Sequence, residues 1–322
     1  MRVLSGIKPS GKPHLGNYFG AMQKYLAYQE KGEECFFFLA DWHALTSIHD
    51  AKLLREYSLE VALSFLSIGL NPDKVVLFRH SKIRAITELA WILSCLCPLG
   101  MLERCHAYKD AVSKKKSVNH GLFAYPVLMA ADILIYKSDL VPVGRDQKQH
   151  VEVARDLALS FNNRFEEVFP LPEAHIEKEQ ETMIGIDGRK MSKSYQNTIE
   201  LFAPEKEIKK KIMSIKTDSI PLGQPLDPDN CLVFYWHRML GNPDLESLRE
   251  KYQSGQIGYG DSKKKLLELF LEKFKSPREK RKELEENLDY VTQVLEKGAQ
   301  KARKEAEETI DQVRKAVGLS RD

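Results

Sequence analysis

Hydrophobic positions follow two rhythms along this chain, and the change between them falls near residue 194. In the first part, short continuous apolar runs alternate with longer stretches at helical spacing. Residues 2–7 hold a strand candidate, and Pro9 to Pro13 form a turn-rich loop. From 15 to 29, Tyr18, Met22, Tyr25, Leu26 and Gln29 recur near helical spacing until Gly32 breaks the pattern. Cys35-Phe36-Phe37-Phe38-Leu39-Ala40 is apolar without alternation and ends at Asp41. Both faces of such a run are expected to be buried, as in a parallel strand between helical layers. Residues 50–68 predict an amphipathic helix closed by Gly69 and the turn Asn71-Pro72-Asp73, and Val75-Val76-Leu77-Phe78 the next strand. Residues 85–97 read as helix up to Pro98 and Gly100, and 113–120 as a lysine-rich break. A helix at 126–136, a strand at Leu140-Val141-Pro142-Val143 and a helix at 147–161 follow. This order predicts an α/β domain with a doubly wound parallel sheet, whose ligands sit beyond the C-terminal ends of the strands.

After Lys193 the strand signals fade. Lysine- and glutamate-rich helix candidates cover 204–216, 229–240, 261–276, 278–296 and 298–317. Two domains are expected, an α/β domain at 1–194 and an all-helical one at 195–322, the last helix packing back on the first domain. The net charge of +3 does not argue for a nucleic-acid partner, so any such partner must meet a local basic surface. The five cysteines lie mostly in apolar segments and read as buried thiols in a reducing cytosol. Cys95 and Cys97 have no matching second pair, which makes a weak metal motif. No run of 18 apolar residues offers a membrane span, and no apolar leader is expected at the N-terminus.

Two loops carry candidate chemistry. Pro9-Ser10-Gly11-Lys12-Pro13-His14-Leu15-Gly16-Asn17 leads into a helix, whose N-terminal N–H groups and dipole suit phosphate. A plain strand–helix turn that needs glycine for its geometry is the alternative. The loop is neither a Walker A sequence nor GxGxxG, which removes support from the standard kinase-like and dinucleotide readings. Gly188-Arg189-Lys190-Met191-Ser192-Lys193-Ser194 places two lysines three residues apart, both able to reach one polyphosphate. A solvated linker is its alternative.

His14-Leu15-Gly16-Asn17 resembles the first signature of class I aminoacyl-tRNA synthetases, whose commonest form ends in His, and Lys190 to Ser194 matches the second letter for letter. Four further stretches resemble the bacterial-type tryptophanyl-tRNA synthetases: Asp41-Trp42-His43-Ala44-Leu45-Thr46, Leu102-Glu103-Arg104, the segment Tyr125 to Leu134, and Gly144-Arg145-Asp146-Gln147-Lys148-Gln149-His150. The likeness runs through Gly298-Ala299 to Gly318. It implies a Rossmann-like catalytic domain, a helical anticodon-binding domain, a homodimer, a cytoplasmic location and no membrane. It also implies formation of tryptophanyl-adenylate from tryptophan and ATP, with Mg²⁺ held through the phosphates, and transfer to tRNA(Trp). The tyrosyl-tRNA synthetases, or a non-catalytic RNA-binding relative, are the alternatives.

The resemblance assigns charge stabilisation to Lys190, Lys193 and His14, and ATP contacts to Ser10, Gly16, Asn17, Gly144, Asp146, Met191 and Ser192 as well; Lys8, a departure from the pattern, is added as an ATP contact. For tryptophan it implies Asp132 as acceptor of the indole N–H; Met129, Val141 and Val143 around the ring; Tyr125 and Gln147 at the ammonium; and His43 near the carboxylate. A carboxylate in the apolar context 127–135 is costly unless paired, and an indole N–H is only a donor, so the physics agrees. Lys114-Lys115-Lys116 is a candidate for acceptor-stem phosphates, and segments 85–102 and 121–135 for the dimer interface. The chain departs from the pattern at Lys8, where Gln is common, at Ala111, where a lysine often reaches ATP, and at Arg145, where Glu is common. Lys8 or Lys109 is expected to supply the missing charge. Some members hold an iron–sulfur cluster on four cysteines; here the positions read Cys231, Tyr252, Tyr259 and Ser262, so no cluster is expected.

Overall fold

A computed structural model of the chain describes residues 1–114, 118–142, 144, 147–175 and 183–320. Its strands are β1 (Arg2–Ile7), β2 (Glu34–Leu39), β3 (Val76–Arg79), β4 (Leu140–Pro142) and β5 (Glu173–His175). They form one sheet in the order β3-β2-β1-β4-β5, with every neighbouring pair parallel. Val3 pairs with Cys35 on one side and Leu140 on the other, so the strand order reverses direction at β1. The loops leaving β1 and β4 flank this switch point, where open α/β sheets bind ligands. The apolar run behaves as its composition predicts: Cys35 through Leu39 are all buried, and each buried phenylalanine contributes on the order of 2–3 kcal/mol.

The chain divides into two compact units. The first holds Met1–Gly11, Lys24–Gln180 and Asn287–Asp322, and the second Lys12–Gln23 and Glu181–Glu286. The division thus differs from a single boundary after residue 194. The first signature loop is split at Gly11, the lysine loop falls in the second unit, and the last helix in the first. The second unit packs the helices Glu205–Met213 and Leu232–Leu240 against Tyr259–Lys273, with Trp236, Tyr252, Phe270 and Phe274 fully buried.

Three helices differ from the pattern reading. Residues 15–29 are a short helical turn, Leu15–Asn17, then a wider π turn, Tyr18–Met22, then the helix Gln23–Glu30. The helix placed at 126–136 starts earlier, at His120, because the Asn119 side chain accepts the Leu122 N–H at 2.8 Å. Pro126 therefore lies inside the helix and forfeits one backbone hydrogen bond. Residues 278–296 and 298–317 do not form two helices that part near Gly298. The break lies at Asn287, whose side chain accepts from the Tyr290 N–H at 3.2 Å, and Leu288–Ala316 is continuous.

That last helix buries Val291, Val294, Ala299, Ala302, Ala306, Ile310 and Val313 at helical spacing and lies against β3. A Cβ on Gly298 would overlap the Leu77 carbonyl, so glycine is required by close approach. Helix propensity alone would favour Gly298→Ala by about 1 kcal/mol. Overlap with strand backbone costs about 1–3 kcal/mol or more and should win. Gly298→Ala is expected to lower stability by at least about 1 kcal/mol in urea denaturation; a variant as stable as the parent would show the contact to be slack.

Candidate active site

In the first unit the site begins where β2 and β3 end. Asp41 opens the single helical turn Asp41–Ala44 and is 2% exposed. Its Oδ1 accepts the Ser81 backbone N–H at 2.8 Å, and its Oδ2 accepts the Ser81 hydroxyl at 2.6 Å and Arg79 Nε at 3.1 Å. This carboxylate ties the turn carrying His43 to the turn His80–Lys82. The two imidazoles consequently stack, with centroids 5.4 Å apart and planes 17° from parallel.

Asp132, on the helix His120–Ile135, meets both rings. His43 Nε2 lies 2.7 Å from Oδ2 in a hydrogen bond. His80 Nε2 lies 2.6 Å from Oδ1 but off the hydrogen-bond axis, so that contact is electrostatic. Burial pushes the Asp132 carboxyl up. The charge of His80 and the hydrogen bond from His43 outweigh burial and hold it below the usual carboxylate range. Two imidazoles and a carboxylate also suggest a metal. Tetrahedral zinc at about 2.0–2.1 Å, however, spaces its ligands about 3.3 Å apart. The spacings of 2.6 and 2.7 Å are those of direct contact, and the cluster is a clamped carboxylate.

The polar chain continues. The Tyr125 ring meets His43 edge-on at 6.2 Å, and its hydroxyl lies 2.8 Å from His150 Nε2. His150 Nδ1 donates to Gln147 Oε1 at 2.9 Å, which leaves Nε2 to accept the Tyr125 hydroxyl in the neutral ring. Met129 and Val141 pack in the surrounding core. Val143, Arg145, Asp146, Lys115 and Lys116 lie outside the described residues. Gly144 accepts the Gln147 N–H at 2.9 Å, and Ser10 is exposed. Lys8 Nζ donates to Thr46 Oγ1 at 2.9 Å, and burial lowers its pKa. Ala111 is buried and Lys109 exposed.

The second unit brings the two signature loops side by side. Leu15 N–H donates to Ile199 O at 2.9 Å, Gly16 N–H to His14 Nδ1 at 3.1 Å, and Asn17 N–H to His14 O at 2.8 Å. Asn17 Oδ1 accepts the His14 N–H at 3.0 Å, completing a capping box. The amides expected to bind phosphate are therefore already engaged. A Cβ on Gly16 would crowd the His14 ring and come within 3.2 Å of Met191 Sδ. Burial, then the charge of Lys193, lowers the His14 pKa to about 4. His14 is thus neutral at pH 7, and because Nδ1 accepts from Gly16, its proton sits on Nε2, which makes that nitrogen a donor.

The lysine loop is a hairpin tied at Ile184 and Lys190, turning through Gly188 at φ 84°. Buried Asn197 laces it together. Its Oδ1 accepts the Ser192 N–H at 2.8 Å, and its Nδ2 donates to Asp187 Oδ1 at 2.8 Å and Lys190 O at 3.0 Å. Asn197 and then Arg189 hold the Asp187 carboxyl at about 2. Lys190 is exposed, whereas burial lowers Lys193 to about 8 against the opposing charge of Glu200. Elsewhere in this unit, Cys231 Sγ lies 3.9 Å from Tyr252 Oη, which is 2.7 Å from Ser262 Oγ. One thiol among phenols and a hydroxyl, bonded to each other, does not fit an iron–sulfur cluster.

Pattern reading passed over His80 and Asn197. The rule that ligands gather at strand C-termini pointed toward His80, which directly follows β3. Nothing local marked Asn197, since its role exists only once the hairpin closes.

The family model for class I tRNA synthetases (W and Y) matches residues 1–275. A tryptophan–tRNA ligase of Fusobacterium nucleatum is 48% identical over 320 residues, covering 99% of this chain and 98% of that protein. The crystal structure of a Campylobacter jejuni tryptophanyl-tRNA synthetase complexed with ADP and tryptophan superposes with a TM-score of 0.94 at 48% identity, covering 99% of this chain and 100% of that one. A tyrosyl-tRNA synthetase of Archaeoglobus fulgidus, at 22% identity and a TM-score of 0.66, shares the fold. On this similarity, which spans nearly its whole length, the chain belongs to the bacterial-type tryptophanyl-tRNA synthetases of class I.

Proposed function

We propose that the chain activates L-tryptophan with ATP, taken as its Mg²⁺ complex, and then transfers tryptophan to the 3′-terminal adenosine of tRNA(Trp). The observation that carries the substrate choice is Asp132, a buried and ionised carboxylate that can only accept. An indole N–H, which can only donate, is its natural partner. Tyr125 and Gln147, joined through His150, suit the ammonium end, with Met129, Val141 and Val143 along the ring.

In the first step, a carboxylate oxygen of tryptophan bonds to the α-phosphorus of ATP while the bond from that phosphorus to the bridging oxygen breaks. Pyrophosphate leaves with the electron pair. The nucleophile is already ionised, so no general base is needed, and catalysis consists of positioning and charge stabilisation. Because the amides of residues 15–17 are occupied, Lys190, Lys193 and the neutral His14 Nε2–H carry that stabilisation. Lys8, Ser10, Gly16, Asn17, Gly144, Asp146, Met191 and Ser192 complete our assignment for ATP. In the second step a ribose hydroxyl of the tRNA terminus attacks the adenylate carbonyl and AMP departs.

The lysine-rich helices between 205 and 285 suit an anticodon stem, and Lys114, paired with Asp110 at 2.6 Å, stands at the basic break proposed for the acceptor stem. Trp91 and Leu99, 72% and 69% exposed on successive helices within the segment expected at the interface, support a homodimer, since large apolar side chains favour being covered. We place the enzyme in the cytoplasm, which suits its five free thiols.

Pyrophosphate exchange into ATP is expected with tryptophan and not with tyrosine; exchange driven by tyrosine would overturn the assignment. Lys193 is charged below about pH 8 and neutral above, so kcat/KM for ATP should fall from pH 7 to 9. Lys193→Arg should flatten that fall, because guanidinium keeps its charge throughout. Asn197→Ala removes three hydrogen bonds worth about 1 kcal/mol each from the hairpin. Its kcat in exchange should drop by about tenfold or more with tryptophan KM unchanged, and an unaltered kcat would rule out a positioning role. Sedimentation velocity should return twice the chain mass for the parent and one chain mass for Trp91→Glu.

A further inference from the structure

We propose that His80 is a positioning residue for substrate selection: pressed against Oδ1 while His43 holds Oδ2, it keeps Asp132 a fixed acceptor for the indole N–H. The inference rests on the reading of Asp132 as the indole's partner and adds to it the group that makes the carboxylate selective.

His80 is fully buried, set between Phe38, at a ring distance of 5.1 Å, and the stacked ring of His43. Packing does not explain a histidine there. Nδ1 has no hydrogen-bond partner among the described residues, which is a cost that a leucine or methionine would avoid. What the imidazole offers in return is Nε2, 2.6 Å from the carboxylate. Nor can the ring drift away, because its neighbour Ser81 is held to Asp41 through both its backbone N–H and its hydroxyl.

The consequence for recognition follows from donor and acceptor counting. A buried aspartate with one imidazole on Oδ2 has Oδ1 free to take up a proton. The protonated carboxyl carries an O–H, which would meet the indole N–H donor to donor. The second imidazole removes that option and fixes the side chain. Each carboxylate oxygen has two lone pairs; Oδ2 spends one on His43, and Oδ1, which His80 faces without a hydrogen bond, keeps both for a ligand. The site is then selective in the stronger sense: an amino acid of the same shape without the N–H leaves a buried charge short of a partner.

The test compares tryptophan with β-(3-benzothienyl)alanine, in which sulfur replaces the indole N–H, as substrates for pyrophosphate exchange. In His80→Leu the preference for tryptophan in kcat/KM should fall by about tenfold, through a raised tryptophan KM and with kcat within about twofold of the parent. His80→Gln, whose amide can donate to Oδ1, should recover most of the preference. His80→Met serves the same purpose should His80→Leu fail to fold. Equal losses for both amino acids, or an unchanged preference in His80→Leu while Asp132→Asn abolishes it, would overturn the role of His80 alone. An unchanged preference in Asp132→Asn would overturn the reading of Asp132 on which it rests.

Discussion

A carboxylate stays ionised in an apolar interior only if the fold brings it partners, and in the first unit much of the local arrangement around the strand ends meets that condition. Asp132 sits on a helix whose neighbours are Ala130, Ala131, Ile133 and Leu134, all buried. Two imidazoles reach it from turns that follow different strands, β2 and β3. Those turns hold their mutual register because a second buried carboxylate, Asp41, is itself satisfied across them by Ser81 and Arg79. The apolar strands beneath are therefore more than a core. By running parallel and side by side they deliver both turns to the same end of the sheet.

In the second unit the organising constraint is hydrogen-bond supply. A strand–loop–helix entry ordinarily leaves N–H groups for an anion. Here His14, Asn17 and Ile199 use them, so the backbone is rigidified and phosphate charge falls to side chains. Lys193 is partly desolvated before any ligand arrives, and its lowered pKa reflects that cost. In the proposed activity a polyphosphate would restore the charge's partner, so attraction would strengthen as negative charge gathers on the leaving group. Lacing by Asn197 gives the hairpin a defined shape, while the Lys190 side chain stands exposed beyond it.

Small residues and hydroxyl groups decide the packing elsewhere in the chain. Gly298 and the alanines after it let the last helix approach β3 at backbone distance, which makes that helix part of the α/β unit. Around Cys231, hydroxyl groups bond to one another and to His237, a closed polar network in a helical core. Lys8 is engaged with Thr46 rather than solvated, so any charge it lends to ATP must come from a lysine whose ammonium is already partly buried.

Much of this was legible in the residues alone. Continuous apolar runs such as 35–40 fixed the parallel strands, because only a sheet covered on both faces buries every side chain of such a run. His14 to Asn17 and Lys190 to Ser194 carry the resemblance to the class I signatures, and the apolar setting of Asp132 called for a partner. Those signals are local, carried by composition and spacing within a few residues. The partnerships are not. That His43 and His80 share one carboxylate, that Asn197 closes the lysine hairpin, that the loop amides are spent on His14 and Ile199, and that Gly298 belongs mid-helix against Leu77 all depend on residues brought together across the fold. Hydrogen bonds and close approach act over about 3 Å in space without regard to separation along the chain, so only the tertiary structure decided them.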